Sequence, residues 1–196
     1  MPKLSRNIVE VYSFSRDMKN LGLTPSSKVL EQKIVSATED LAKNLSLKVH
    51  EDKVIKLTRI RFANDEPLLI ETTYIPYNLV PSLIEKDMEH NSLYSILNEK
   101  YQLFFSHAVE TYEAISIGRK EAKLLKCKPF TPGFFIERIA YLEDGTSVEL
   151  TNSITRADRC KFVAILGNKR SLIKRKITLN KKTLEGRVEN VGKRIH

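Results

Sequence analysis

The chain has 196 residues, 41% of them hydrophobic and 8% aromatic, which is enough for a core without disulfide or metal staples. No apolar run approaches the roughly 18 residues of a membrane span, the N-terminus lacks a signal-peptide core, and two cysteines, Cys127 and Cys160, do not make a disulfide framework. The formal charge is +9, but residues 167–196 hold ten Lys/Arg against two Glu. The remaining 166 residues are nearly neutral, so the basicity belongs to a C-terminal tail and does not by itself argue for nucleic-acid binding.

In chain order, apolar residues from Ile8 to Leu21 recur at helical spacing, and Gly22 follows as a natural stop. The stretch GLTPSS is expected to be a turn leading into a strand, SKVLEQKIVSA. Ser36 and Glu39 have capping-box spacing ahead of a short helix, EDLAKNL. KVIKLTRIRFA and PLLIETTYIP then alternate at strand period around Asn64-Asp65-Glu66-Pro67, which predicts a hairpin. SLIEKDM and NSLYSILNEKY are expected as two short helices, FFSHAVETYEAISI as a strand and GRKEAKLLK as a helix. A second hairpin spans PGFFIERIAYLE and SVELTNSITRAD, and KFVAIL is expected to close the sheet. Strands and helices are segregated rather than alternating, so the fold class is α+β with a mostly antiparallel sheet.

Polar residues recur at strand period where burial is expected. Arg59 and Arg61 share one face of the first hairpin with Ile55 and Leu57, and Glu71 and Thr73 lie on the returning strand. In the second hairpin Glu149, Thr151, Ser153 and Thr155 share a face, with Arg138 on the partner strand. Charges buried in such an array cost several kcal/mol unless paired. One reading is a cavity whose guanidiniums hold a phosphate or carboxylate while carboxylates and hydroxyls hold ligand hydroxyls or an amine. The other is a solvated sheet face with cross-strand Arg–Glu pairs. Ser92 can cap the helix starting at Leu93 and offer an anion site there, and Thr24-Pro25-Ser26-Ser27 supplies hydroxyls and amides. Gly-rich phosphate loops, metal-ligand spacings and a G-x-S-x-G elbow are all missing, so neither cofactor nor metal is expected. Glu71 and Glu149 are the only evident acid/base pair, and nothing in the sequence demands catalysis.

The strings YSFSRDMKNLGLTPSSKVL, LTRIRFANDEPLLIETTYIP, NSLYSILNEKYQL and FFIERIAYLEDGTSVELTNSITRADRCKF, in this order and spacing, resemble the UTRA domain. This is the effector-binding module of the HutC-like branch of GntR-type bacterial repressors. The resemblance runs from about Ile8 to Leu166. It implies a chorismate lyase-like fold, a homodimer, and a non-enzymatic sensor of a small anionic metabolite, expected to be a sugar phosphate. The T-R-x-R arginines Arg59 and Arg61 would grip the phosphate, with Ser26, Ser27 and Ser92 assisting. Glu71 and Glu149 would read the sugar, and Arg138 and Ser153 are further candidates. Ligand closing the GLTPSS turn would shift the helix over residues 8–21 and so alter DNA binding by the parent protein in the cytoplasm. The alternative is a lyase-like enzyme on the same fold.

The sequence departs from that family in three places. The winged helix-turn-helix domain that normally precedes the YSF motif is not in it, so operator DNA is expected to be read only through that domain, and the chain is expected to be the excised sensing half of a longer regulator or, alternatively, a stand-alone sensor. Ile154 and Thr155 stand where many members carry aromatics before R-A-D. The chain also continues past the usual end, so residues 1–166 are taken as the effector domain and 167–196 as a basic tail.

Overall fold

A computed structural model describes residues 13–163 and the backbone of three short strands at 4–7, 176–179 and 182–185. The described elements are β1 (Leu4–Asn7), α1 (Phe14–Asn20), β2 (Pro25–Ser36), α2 (Glu39–Leu45), β3 (Lys53–Ala63), β4 (Glu66–Pro76), α3 (Leu93–Tyr101), β5 (His107–Ser116), α4 (Arg119–Leu124), β6 (Pro132–Tyr141), β7 (Ser147–Arg156), β8 (Cys160–Val163), β9 (Lys176–Leu179) and β10 (Lys182–Glu185). Two single-turn 3₁₀ segments, Tyr77–Leu79 and Pro81–Glu85, link β4 to α3.

Six strands form one antiparallel sheet in the order β2-β3-β4-β7-β6-β5. It consists of two three-stranded meanders joined where β4 pairs with β7. The α+β expectation holds, and the first hairpin has the expected strands. Its turn places Asn64 and Asp65 at φ 48° and 62°, the left-handed pair a two-residue hairpin requires. The Asn64 side chain also accepts a hydrogen bond from the Thr24 amide at 2.9 Å.

The two sheet faces have different jobs. On one, α2 packs over Val54 and Leu150, and α4 over Ile70 and Ile154. On the other, α3 and the 3₁₀ turns bury Ile55, Leu57 and Ile75, while α1 lays Phe14 and Met18 against Ala63 and Leu69. Because α1 and α3 cover opposite ends of that face, the strand positions between them meet neither apolar cluster. Those positions are the ones occupied by Arg59, Arg61, Glu71 and Thr73.

Several local expectations need correcting. The first helix begins at Phe14, and residues 8–12 of the expected helix lie outside the described residues. Pro25, Ser26 and Ser27 are not in a turn; they open strand β2, paired with Ala63, Phe62 and Arg61. The cap of α2 is Thr38, whose hydroxyl accepts from the Leu41 amide at 3.4 Å, and not Ser36, which ends β2. SLIEKDM forms a 3₁₀ turn over Pro81–Glu85 where a helix was expected. Strand β8 does not close the sheet: it pairs in parallel with β1, Leu4 against Cys160 through Asn7 against Val163. In the tail the backbone forms a small hairpin of β9 and β10, and the rest lies outside the described residues. Among the described residues no helix is long and apolar enough to cross a membrane.

Candidate functional site

The strand register aligns the polar residues in rows across the sheet. One row runs Arg59, Glu71, Ser153, Ile136; the next runs Leu57, Thr73, Thr151, Arg138, Glu110. Residues opposite each other in a ladder share a face. The period-2 spacing of each strand and the register between strands therefore bring Arg59, Arg61, Glu71 and Arg138 to one side. Two register shifts flank the arginines, one between Val29 and Glu31 on β2 and one between Arg61 and Phe62 on β3. Bulges of this kind re-aim side chains next to binding sites.

These charges are buried. Arg59 and Arg61 are 3% exposed, Glu71 and Arg138 8%, and Glu149 1%, which rules out the solvated-face reading. The cross-strand pairs it invoked do form, but inside the protein. Arg59 Nη2 donates to Glu71 Oε1 at 2.6 Å, and Arg61 Nη1 lies 3.4 Å from the same oxygen. Arg138 Nη2 donates to Glu149 Oε1 at 3.0 Å, and its Nη1 is 3.8 Å from Glu110. Thr151 and Tyr94 also donate to Glu149 Oε1, at 2.6 and 3.2 Å. Thr73 and Thr151 hydroxyls are 2.8 Å apart.

One pocket is walled by this array. Arg59, Arg61, Glu71, Thr73, Arg138 and Glu149 come from the sheet, Ser92, Leu93 and Tyr94 from the start of α3, and Ser13, Phe14 and Ser15 from the start of α1. Three guanidiniums face two carboxylates, so the lining carries a net +1 in a low-dielectric setting. Arg59 Nε and Glu149 Oε2 are buried without a hydrogen-bond partner among the described residues. Both point to a site whose polar groups exceed its internal partners.

Electrostatics hold the array charged. Burial alone would raise the Glu71 carboxyl, but Arg59, Arg61 and Arg138 together outweigh it and keep it below its ordinary range. Burial raises the Tyr94 hydroxyl well above its ordinary range and the Glu149 carboxylate adds to this, so Tyr94 stays a hydrogen-bond donor. Burial works against the Arg138 charge, yet the Glu149 and Glu110 carboxylates beside it more than compensate and raise its pKa. A group whose folded pKa is depressed contributes stability above its unfolded value, and loses it as pH falls through the folded value. Glu71 therefore adds an acid-labile part to stability, lost below about pH 4.5, the ordinary glutamate value. Urea midpoints measured from pH 7 down to 3 are expected to fall less steeply in Glu71→Gln than in the parent chain.

Of the sequence candidates, Arg59, Arg61, Glu71, Ser92, Arg138 and Glu149 meet in the pocket. Ser26, Ser27 and Ser153 are not in its wall. Ser26 is exposed on β2, Ser27 is half-buried opposite Arg61, and Ser153 shares the Glu71 row without reaching the lining. The hydroxyl side of the site comes instead from α1, where Ser15 Oγ accepts from Arg61 Nη2 at 2.9 Å and the Phe14 ring lies 4.6 Å from the Arg61 guanidinium carbon. Ser92 Oγ accepts from the Ser95 amide at 3.4 Å, as an N-cap does. Tyr94 was not anticipated; its ring lies 5.4 Å from the Arg138 guanidinium carbon. The sequence carried no distinct signal for Ser15, which falls within the helical spacing running from Ile8 to Leu21.

The buried, positively biased pocket, roofed by two helices on one face of an antiparallel sheet, is the candidate site of this α+β domain. The sequence profile of the UTRA domain matches residues 20–161, and the chain belongs to that family. It is 33% identical over 162 residues to the HTH-type transcriptional repressor NagR of Bacillus subtilis, covering 83% of this chain and 66% of NagR. The crystal structure of the effector domain of PhnF from Mycobacterium smegmatis superposes with a TM-score of 0.78 at 26% identity, covering 84% of this chain and all of that one. The C-terminal domain of the histidine utilization repressor from Pseudomonas syringae pv. tomato shares the fold, with a TM-score of 0.65 at 21% identity over 74% of this chain and 99% of that one.

Proposed function

We propose that this chain is the effector-sensing and dimerisation domain of a bacterial transcription regulator and that its ligand is a small anionic metabolite, a sugar phosphate. The observation that carries the reading is the Arg59–Arg61 pair, buried on one sheet face and converging on one pocket with Arg138. Guanidiniums suit a phosphate because their donors match its oxygens in pairs. Glu71 and Glu149 would accept from the sugar hydroxyls, with Ser92 at the rim. In the closed pocket, Glu71 holds the place an anion would take. Ligand would draw the arginines away from Glu71 and from Ser15, and so loosen or re-seat α1. This replaces the expected closure of a GLTPSS turn, because Ser26 and Ser27 are fixed in β2.

Within this proposal residues 1–166 are the sensing unit and 167–196 a basic extension, and operator DNA is read by a separate part of the parent protein. The outer edges of β2 and β5 are unpaired in the sheet among the described residues, which leaves an edge for a second copy to approach. Light scattering is expected to give a homodimer. In this reading the site binds its ligand without turnover: Glu71 is held ionised by three arginines, and Glu149 Oε1 is already occupied by three hydrogen bonds. Calorimetry with a panel of hexose 6-phosphates and the matching free hexoses tests this. Phosphate-dependent binding without product supports the proposal; stoichiometric conversion, or hexoses binding as well as their phosphates, overturns it.

A further inference from the structure

The Arg59 side chain is held from two sides. Its Nη2 donates to Glu71, and its Nη1 reaches the Met88 carbonyl at 3.5 Å. The charged pocket has about 30 Å³ of free space, roughly the share of one water, so an anion must take the place of Glu71. Once it does, the Met88 carbonyl is the contact left to hold Arg59 from within the protein. What fixes that carbonyl lies outside the pocket. The segment from Leu83 to Glu89 is stitched along the edge strand β2. The Gln32 side-chain amide donates to the carbonyls of Leu83, Ile84 and Lys86 at 3.2, 2.9 and 3.1 Å. Glu89 Oε1 accepts from the Val29 amide at 2.8 Å. Asp87 shapes the turn between them, accepting from the amides of Glu89 and His90 at 2.9 and 3.3 Å. Val29 is the ladder partner of Arg59 and stands where the β2 register shifts. The contacts therefore close a ring: Arg59 to Met88, along the chain to Glu89, from Glu89 to Val29, and across the ladder back to Arg59.

We propose that Glu89 is a positioning residue for the anion seat: by binding Val29 beside the β2 bulge it fixes the Met88 carbonyl and, through it, the Arg59 guanidinium. The inference rests on the anion-site proposal above and adds to it a residue outside the pocket. Glu89 is exposed and is not in the pocket wall. One hydrogen bond from an exposed side chain adds little to the fold as a whole. Here, however, the amide belongs to the residue paired with Arg59, and the carboxylate to the residue after Met88. Bulges re-aim side chains, and one pinned by a side chain aims them in a single direction. The charge of Glu89 acts the other way, since a carboxylate near an anion site repels the anion, weakly when solvent screens it. The hydrogen bond and the charge thus have opposite effects on anion affinity, which makes them separable.

Titration of the full chain with inorganic phosphate, followed by NMR at the Arg61 Nε–H signal, reads the seat itself apart from the lysine-rich tail. Glu89→Ala is expected to weaken phosphate about five-fold, equivalent to about 1 kcal/mol for one hydrogen bond, although it deletes a negative charge. Glu89→Gln deletes the same charge but keeps an acceptor oxygen, and should bind at least as tightly as the parent. Combined with Arg59→Lys, the two variants should bind alike, because the group they act through is gone. Without phosphate, the Arg59 Nε–H should exchange with water faster in Glu89→Ala than in the parent or Glu89→Gln. Ala and Gln variants that bind phosphate alike, a difference that persists after Arg59→Lys, or equal Arg59 exchange in all three proteins overturns the role of Glu89 and leaves the anion site standing. If phosphate leaves the Arg61 signal of the parent unmoved, the anion site is wrong and the role of Glu89 falls with it.

Discussion

Glu149→Gln is expected to lower the unfolding free energy by about 3–5 kcal/mol, the cost of leaving one member of a buried ion pair without its partner. Glu149 is 1% exposed and its Oε1 accepts from Arg138, Tyr94 and Thr151 together. Neutralising it strands the Arg138 charge with Glu110, 3.8 Å away and itself bonded to the Tyr112 hydroxyl. The double variant Arg138→Met/Glu149→Leu is expected to recover much of that loss, because apolar side chains of similar volume avoid the desolvation cost. The same double variant should not regain ligand binding. Urea unfolding of the parent, single and double variants measures the first effect, and calorimetry the second. Stability regained without function would show that this face is kept charged for a ligand and not for the fold.

Arg61→Ala is expected to weaken hexose 6-phosphate binding on the order of 100-fold, equivalent to about 2.8 kcal/mol for lost charge-assisted hydrogen bonds. The cost to folding should be smaller than at Glu149. Glu71 retains Arg59 at 2.6 Å, and Arg61 is the weaker partner at 3.4 Å. Arg61→Lys keeps the charge but not the planar fork, so an intermediate affinity is expected. The variant also cuts the hydrogen bond to Ser15 and the contact with Phe14. Amide exchange over Phe14–Asn20 should therefore quicken in Arg61→Ala without ligand, as it should in the parent chain when ligand draws Arg61 away. A ligand can shift α1 only by the difference in its affinity for the two states, and Arg61 is the group that touches both.

Much of this was legible from residue order alone. Alternation over Lys53–Ala63 and Glu66–Pro76 gave both strands of the first hairpin, because period 2 and a left-handed Asn-Asp turn are local properties. It also placed Arg59 and Arg61 on one face. Whether this face is a buried cavity or a solvated surface was left open, since that depends on α1 and α3 packing at its two ends. The same limit explains Ser26 and Ser27. A Thr-Pro-Ser-Ser string looks like a turn, yet pairing with Phe62 and Arg61 draws it into β2. Tyr94 and Ser15 were missed because their roles exist only after α1 and α3 meet the sheet. The parallel pairing of β8 with β1 joins segments more than 150 residues apart, which no local pattern signals.

The central claim is that Arg59 and Arg61 form the anion seat that Glu71 fills in the closed pocket. A crystal structure of the chain grown with a hexose 6-phosphate that binds in calorimetry tests it most directly. The predicted result is a phosphate oxygen within hydrogen-bonding distance of both guanidiniums, with Glu71 Oε1 no longer shared between them. A phosphate held elsewhere, with the 2.6 Å Arg59–Glu71 contact intact, would contradict the account.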